Sequence, residues 1–228
     1  MSDLAVATWP GVEAMDRRAL VVPLGAIEQH GPHLPLDTDL RIAEAVAAAC
    51  VGERPGVAVA PGLPFGASGE HAAFPGTLSI GTEALVAVLV ELGRDASTHW
   101  PALLFVNAHG GNVTAVTRAV AQLVDEGRRC AAFHAAVPGG DAHAGRTETS
   151  LLLHLSPELV HGEAMAAGNP LPITDLLPTL RHSGVRAVSP NGILGDPAGA
   201  SAEEGAALLA TLASACTARL DTLLAGSG

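Results

Sequence analysis

The chain alternates short apolar runs with longer segments of helical periodicity, and this alternation constrains the fold more than any other feature. The apolar runs predict strands at residues 19–24, 57–60, 102–106 and 130–133. Helices are predicted at residues 39–51, 82–97, 113–126, 147–155, 174–181 and 201–224. Because strands and helices in alternation build a parallel sheet covered on both faces, we expect an α/β protein: a three-layer α/β/α sandwich with a mostly parallel central sheet. The 228 residues contain no repeat and are expected to form a single domain, residues 1–228.

Polar residues with the chemistry of metal ligands follow three of the predicted strands. Glu28 and His30 come after the first strand, His109 after the third, and His143 and Glu148 after the fourth. Open α/β sheets place their sites just beyond the carboxyl ends of the strands. We therefore expect these five side chains to converge in one crevice although they lie far apart in the sequence.

The loop after the first strand, residues 25–39, is dense in carboxylates and imidazoles. Glu28 and His30 are two residues apart, so an extended chain points both the same way. Asp39, at the predicted helix start, can cap the helix and also bridge two cations, and Asp37 competes for the bridge. Such groups are costly to bury without a cation, and ligands without cysteine suit Zn, Mn or Fe(II). The alternatives are a solvated polar loop and, for Asp37, an Asx turn.

Four further residues are candidates for contact with a substrate. Gly110 and Gly111 follow His109 and let the backbone approach another group closely. A phosphate cradle is disfavoured there because no Lys, Ser or Thr follows in P-loop spacing. Glu70 and His71 are interpreted as part of a pocket wall, with a purely structural role as the alternative. For His109 the alternative to a ligand is a satisfied core histidine.

The last candidates, His143 and Glu148, have more than one possible role. His143 is a candidate catalytic residue that could be a ligand, a general acid or base, or a plain loop residue. Glu148 lies in the first turn of a predicted helix, where the helix dipole favours a carboxylate; we place it first as a ligand and second as a catalytic base. The remaining histidines are expected to pack at the surface or in the core: His33, His99, His134, His154, His161 and His182.

Charge and composition argue against several classes of function. The chain has 12 Lys+Arg against 23 Asp+Glu and a net charge of -11, without the basic clusters that nucleic acid or a membrane surface requires. Residues 1–3 do not resemble a signal peptide, and no apolar run is judged long enough to span a bilayer. Cys50, Cys130 and Cys216 are expected to be buried free thiols. We therefore expect a cytoplasmic protein without nucleic-acid or membrane partners.

Four motifs, in order, resemble those of the creatininase (creatinine amidohydrolase) family: Glu28-x-His30-Gly-Pro-His-Leu-Pro-Leu-Asp-Thr-Asp39, Gly69-Glu70-His71, Asn107-x-His109-Gly-Gly-Asn112 and His143-Ala-Gly-x-x-Glu148-Thr. The resemblance covers about residues 20–212. It implies an α/β/α sandwich, typically in a hexameric homo-oligomer, with two divalent metal ions per subunit. By position it implies a bridging aspartate and two ligand sets: Glu28, Asp39 and His109 for one ion, and His30, Asp39 and Glu148 for the other.

The resemblance departs from the creatinine-cleaving members in two respects. Those members carry Tyr-Glu at the positions of Gly110 and Gly111, and they carry tryptophans over the substrate. Trp9 and Trp100 of this chain lie outside the motif loops. Creatinine is therefore not the expected substrate.

Three segments resemble one branch of the family more closely: residues 76–82, 143–150 and 188–197. This is the mycofactocin-system branch, whose members release the C-terminal Val-Tyr dipeptide from a modified precursor peptide. In the expected reaction a metal-bound hydroxide attacks the amide carbonyl, and His143 or Glu148 moves a proton to the leaving nitrogen. Two alternatives stay open: a family hydrolase acting on a small cyclic amide or formamide, and a non-enzymatic metal-binding regulatory protein.

Overall fold

A computed structural model of the chain describes residues 2–226, so the ends of the predicted domain, residues 1 and 227–228, lie outside the described residues. The strands are β1 (Ser2–Asp3), β2 (Ala19–Leu24), β3 (Val57–Val59), β4 (Leu103–Asn107) and β5 (Cys130–His134). They form one sheet in the order β1-β3-β2-β4-β5, and every pair is parallel. The predicted parallel sheet is confirmed.

Helices connect the strands and cover the sheet. The α-helices of the described residues are α1 (Trp9–Glu13), α2 (Thr38–Val51), α3 (Thr82–Ala96), α4 (Val113–Asp125), α5 (Arg146–Leu155), α6 (Ile173–Ser183), α7 (Val185–Val188) and α8 (Ala202–Ala225). Short 3₁₀ helices lie at Leu4–Val6, Gly69–His71, Gly110–Asn112, Pro157–Leu159 and Gly162–Ala164.

The sheet separates two apolar layers, because successive side chains of a strand point to opposite faces. On one face Val21, Leu104 and Val106 pack against α2, α5 and α8. On the other face Val22 and Phe105 pack against α3 and α4. Every residue of β2 is buried, which is why this strand is a continuous apolar run in the sequence. The protein is thus the predicted three-layer α/β/α sandwich.

Three strands end level with one another at one edge of the sheet. Leu24 at the end of β2 lies opposite Asn107 at the end of β4. Asn107 in turn lies opposite His134 at the end of β5. The segments that leave these strand ends therefore start side by side, and they carry the polar motifs of the sequence.

Sequence patterning does not predict β1, α1 or α7, because each is too short to show a period. One predicted cap is wrong: the N-cap position of α2 is Asp37, and Asp39 lies inside the first turn of that helix. The N-cap of α8 is Ser201, whose Oγ accepts a hydrogen bond of 3.1 Å from the Glu204 N–H. Asp39 is consequently released from capping and its carboxylate is free for other contacts.

The last helix corrects the expectation that no apolar run is long enough to cross a bilayer. α8 has 24 residues and a window of mean hydropathy 1.3, so by length and composition alone it would suffice. In the structure Leu212, Cys216 and Leu220 of this helix belong to the core beside α2 and α5. All three cysteines, Cys50, Cys130 and Cys216, are free and buried, as predicted.

Candidate metal centre

Four residues of the predicted site meet beyond the level strand ends. Glu28 and His30 come from the loop after β2, Asp39 from the first turn of α2, and His109 from the turn after β4. Their exposed fractions are 0 %, 0 %, 1 % and 4 % in that order. Burying this many ionisable groups is costly unless they neutralise one another or hold a cation.

Asp39 lies between two histidines. Its Oδ1 is 3.1 Å from His30 Nε2, and its Oδ2 is 3.2 Å from His109 Nδ1. The other ring nitrogen of His109, Nε2, is 3.2 Å from Glu28 Oε2. The two oxygens of one carboxylate thus face two different imidazoles, which is the arrangement that a bridging carboxylate needs.

Glu148 lies on another side of His30, with Oε2 at 3.9 Å from His30 Nε2. The same oxygen accepts a hydrogen bond of 2.6 Å from the Ala144 N–H, and burial raises the pKa of Glu148 to about 7. Ala144 has a φ of 53°, a conformation that non-glycine residues rarely adopt and that clusters at functional sites. This turn also brings the ring of His143 to 4.4 Å from that of His30. His143 and Glu148, which follow β5, therefore join the cluster as predicted.

The cluster holds charged and neutral groups side by side. Burial alone would raise the pKa of Glu28, but the neighbouring His109 lowers it to about 2. Burial opposes charging of His30, yet the adjacent aspartate raises its pKa to about 10. The pKa values of His71 and His143 shift in the opposite direction from that of His30. Burial lowers the pKa of His71 to about 4 and that of His143 well below its ordinary value.

Three buried carboxylate oxygens have no hydrogen bond of acceptable geometry: Glu28 Oε1, Glu28 Oε2 and Asp39 Oδ2. A histidine nitrogen lies 3.2 Å from each of them without the alignment of a donor. Leaving such oxygens unsatisfied is unfavourable, whereas a cation among them would contact oxygens and ring nitrogens at once. The donor atoms therefore fit a divalent cation with oxygen and nitrogen ligands.

Among the described residues, the donor atoms form three sets whose atoms all lie within 4.8 Å of one another. The sets are Glu28, Asp39 and His109; His30, His143 and Glu148; and Glu28, His71 and His143. The first set is the one that the sequence predicts for one ion. The second differs from the prediction because it contains His143 in place of Asp39. The third, which includes His71, is not predicted.

A cavity of about 800 Å³ opens onto this cluster. The residues predicted to contact a substrate, Glu70, His71, Gly110 and Gly111, all line it. A Cβ atom at position 111 would lie 2.3 Å from the carbonyl oxygen of Ala67, so no side chain fits there. Backbone rather than side chain therefore forms this part of the cavity wall.

The opposite wall of the cavity comes from α6, which sequence analysis does not connect with the site. Ile173, Leu177 and Leu180 give it an apolar surface, and Arg181 and His182 lie at the end of the helix. Only contacts between distant segments bring this helix to the cluster, and such contacts leave no local signal in a single sequence.

Two buried residues of the first motif lie outside the predicted site. Gln29 is 5 % exposed, and its side-chain nitrogen is 2.9 Å from His71 Nδ1 and 3.0 Å from His143 Nε2. His33 packs in the interior, as expected for it, with Nε2 at 2.8 Å from Thr149 Oγ1. The sequence carries one signal for Gln29, because this polar residue lies between the candidate ligands Glu28 and His30.

Both tryptophans lie within the described residues, and neither lines the cavity. Trp100 is buried in the apolar layer of α3 and α4, and Trp9 on α1 is 76 % exposed. Both tryptophans thus lie away from the cavity, in keeping with their places outside the motif loops of the sequence.

Comparisons with known proteins give the family. The profile of the family described as "Creatininase: Creatinine amidohydrolase" matches residues 5–220. A protein of Mycobacterium ulcerans (strain Agy99), named "Mycofactocin precursor peptide peptidase", is 50% identical in an alignment of 222 residues that covers 94% of this chain and 86% of that protein. A solved structure named "Creatininase Mn" has a TM-score of 0.80 and 26% identity over 96% of this chain and 98% of that chain. A creatininase variant of "Zn-Zn type" has a TM-score of 0.79 and 26% identity over 96% and 97%.

A buried cluster of carboxylates and imidazoles at the strand ends of an α/β/α sandwich is the kind of site that metal-dependent hydrolases use. The chain belongs to the creatininase family. It is a hydrolase of amide bonds that uses divalent metal, as the similarity to manganese and zinc forms of creatininase supports.

Proposed function

We propose that the chain is a peptidase that releases the C-terminal Val-Tyr dipeptide from the modified precursor peptide of the mycofactocin system. The observation that carries the proposal is the open cavity above buried carboxylate oxygens that lack an aligned hydrogen-bond donor. Small-molecule pockets typically measure about 300–1,000 Å³, so a cavity of about 800 Å³ has room for a dipeptide end. The name of the Mycobacterium ulcerans relative gives the same substrate class.

The proposed centre holds two divalent ions per subunit, which are Zn, Mn or Fe(II). Glu28, Asp39 and His109 would hold one ion, and His30, Asp39 and Glu148 would hold the other. Support for Asp39 as the bridge comes from its oxygens, which lie 3.1 and 3.2 Å from two different histidines. When bound, the ions supply Lewis-acid activation of the scissile carbonyl and of the attacking water.

His143 is the proposed catalytic residue for proton transfer to the leaving nitrogen. Its Nδ1 is 3.7 Å from Glu28 Oε1, and the residue also lines the cavity. It therefore reaches both the cluster and a bound amide, as a general acid or base must. Glu148 is first a ligand and second a candidate for the same proton transfer.

The substrate contacts proposed for Glu70, His71, Gly110 and Gly111 follow from their places around the cavity. Glu70 Oε1 lies 3.7 Å from His109 Nε2, while its side chain stays 32% exposed. Because no side chain fits at position 111, the peptide groups of this turn face the substrate directly and can donate hydrogen bonds to it.

The wall formed by α6 supports a peptide with a bulky apolar end. Ile173 and Leu177 offer apolar surface on one side of the cavity. Arg181 is exposed at the rim and makes no ion pair within the part of the chain described here. In a chain of net charge -11, an unpaired guanidinium beside the site attracts a substrate with an acidic group.

The proposal extends to assembly and location: a homo-oligomer, a hexamer by family resemblance, that works in the cytoplasm without nucleic-acid or membrane partners. Leu36, Phe65 and Leu78 are 39%, 46% and 55% exposed, and large exposed apolar patches often mark subunit contacts. Light scattering should give a mass several times that of one chain, and Phe65→Asp should lower it. A monomer mass for the unmodified chain would contradict this part.

The function is tested with metal-loaded protein and mass spectrometry of the products. The substrates are the precursor peptide carrying its enzymatic modification, the unmodified peptide, creatinine and a panel of small formamides. Release of the C-terminal dipeptide from the modified peptide is the expected result. Cleavage of a small amide alone would favour the small-amide hydrolase. A metal-loaded protein that cleaves none of them would favour the regulatory protein.

A further inference from the structure

The side chain of Gln29 contacts two of the histidines that line the cavity, His71 and His143. Its Nε2 lies 2.9 Å from His71 Nδ1, 3.0 Å from His143 Nε2 and 3.0 Å from the carbonyl oxygen of Gly192. The backbone oxygen of Gln29 is also 2.8 Å from His143 Nε2. One buried residue thus reaches the ring nitrogens of His71 and His143 that point away from the carboxylates.

Two backbone groups fix the orientation of the Gln29 amide. Its Oε1 accepts a hydrogen bond of 2.9 Å from the Gly31 N–H, and its Nε2 donates to the Gly192 carbonyl. If Oε1 and Nε2 exchanged places, the amide NH2 group would face the Gly31 N–H, which is also a donor. The amide oxygen would then face the Gly192 carbonyl, which is also an acceptor. The Nε2 end therefore faces the histidines.

Counting hydrogens then assigns the ring protons. The amide nitrogen has two hydrogens, and one goes to the Gly192 carbonyl. His143 Nε2 lies closest to the backbone oxygen of Gln29, which only accepts, so this ring nitrogen carries a hydrogen. The second amide hydrogen is left for His71 Nδ1, which must accept it. A neutral His71 then carries its own hydrogen on Nε2.

The two rings expose opposite chemistry to the cluster as a result. His71 Nε2, with a hydrogen, lies 3.2 Å from Glu28 Oε1. His143 Nδ1, without one, lies 3.7 Å from the same oxygen. A protonated ring nitrogen stabilises a carboxylate but cannot bind a metal, whereas a bare one can bind a metal or accept a proton.

We propose that Gln29 is a positioning residue that holds the Nε2–H of His71 on the side of Glu28 and the bare Nδ1 of His143 toward the reacting groups. The set of Glu28, His71 and His143 is then not a metal site, although its donor atoms lie close together. The inference deepens the proposed hydrolysis and rests on it only for the part that His143 plays in turnover.

The loop that carries Gly192 is built for this contact. Gly192 has a φ of +84°, and a Cβ on it would lie 1.9 Å from Gln29 Oε1. Only glycine allows that backbone conformation and that approach together. Gly192 packs directly against the Gln29 amide, so the imidazole of His71 is the acceptor left for the second amide hydrogen.

The ring protons can be read directly in zinc-loaded protein labelled with nitrogen-15 in histidine. Long-range proton–nitrogen correlation spectra should show both rings with the hydrogen on Nε2, and His71→Gln and His143→Gln assign the signals. In Gln29→Met, which removes both the amide donor and its acceptor, the His71 signals should move toward an average of the two tautomers. A hydrogen on His71 Nδ1 in the wild type, or His71 signals unchanged in Gln29→Met, would overturn the proposal.

Metal content gives a second readout that does not depend on activity. His71→Gln keeps a donor toward Glu28 and should retain the wild-type number of ions, whereas the matched change His109→Gln should lose metal. Equal losses in the two variants would make His71 a ligand and overturn the assignment.

With the peptide substrate, Gln29→Met should lower kcat by about 10–100-fold, as loss of outer partners of a metal site does, with KM near the wild-type value. If the ring protons lie on the predicted nitrogens but the protein cleaves no peptide, the assignment of Gln29 is supported and the proposed function is refuted.

Discussion

Asp39 Oδ2 lies 3.2 Å from His109 Nδ1 and still lacks a hydrogen bond of acceptable geometry. The contact joins the first turn of α2 to the turn after β4, two segments about seventy residues apart in the sequence. Two buried groups held this close without bonding are expected when both face a third partner.

Asp39→Asn should remove metal. An amide has one oxygen acceptor in place of two and no charge, so it cannot bridge two cations. Elemental analysis should show a fall from two ions per chain to one or none. Asp37→Asn is the matched control, because Asp37 bonds to Arg41 at 2.8 Å and should leave the metal content unchanged. Wild-type metal content in Asp39→Asn would refute the bridging role.

Chelation should destabilise the protein. A ligand that binds only the folded chain stabilises it by about 2.7 kcal/mol at a free concentration of 100 times Kd. For a chain of this size that amounts to roughly 5–10 °C in Tm. Differential scanning fluorimetry before and after dialysis against a chelator measures the shift, and added Zn or Mn should reverse it. The same treatment should lower the Tm of Asp39→Asn by less than that of the wild type; a full shift in that variant would contradict the assignment.

The glycine pair at the cavity should respond unequally to a methyl group. A Cβ at Gly111 would meet the Ala67 oxygen at 2.3 Å, whereas at Gly110 nothing lies within 4 Å. Gly111→Ala should lower the free energy of unfolding by about 1–3 kcal/mol. Gly110→Ala should stay within about 0.5 kcal/mol of the wild type. Urea titrations compare them, and equal costs would show that the close approach is absent.

Arg181→Gln should weaken the binding of acidic peptides. Its charge is unpaired within the described chain and lies at the cavity rim, so KM should rise a few-fold at low salt and less at high salt. Arg18→Gln makes the same change of charge at the opposite edge of the sheet, before β2, and should leave KM unchanged. A series of peptides, each with one acidic group neutralised and the terminal carboxylate among them, identifies the group that Arg181 attracts. The difference in KM between Arg181→Gln and the wild type should disappear for one peptide of the series only. Equal effects of both variants would indicate a general effect of charge.

Stability should fall in alkaline solution partly through Cys130. Burial raises the pKa of this thiol from 9.0 to about 12. The unfolded chain therefore loses the proton first as the pH rises, and the folded state loses stability between about 9 and 12. Between pH 8 and 10 the cost should be about 1 kcal/mol. Urea unfolding of Cys130→Ala should show a smaller loss over this interval, and an identical loss would contradict a buried, neutral thiol.

The sequence predicts well what a local pattern encodes. The bounds of β2 are predicted correctly because both faces of this strand are buried, which makes the run apolar throughout. β1 is missed because Ser2–Asp3 has no pattern to read. The sequence predicts Asp39 as the cap because an aspartate just before an apolar helix usually caps it, whereas the structure places Asp37 there.

The site is predictable only as far as its residues lie in motifs. Glu28, Asp39 and His109 come together as expected because parallel strand ends converge. The tautomers set by Gln29 depend on Gly192, which is distant in the sequence, and no spacing rule connects the two. The same holds for the wall that α6 adds to the cavity.

The level ends of β2, β4 and β5 have a consequence for how such an enzyme can change. Adding one residue to a strand would shift its outgoing loop by about 3.3 Å and turn its side chains to the other face. The donors would then miss one another. The chemistry therefore fixes the strand lengths, whereas Leu176 and Leu180 join the helix across the cavity to a small apolar cluster of its own, and new substrates can arise by altering that helix.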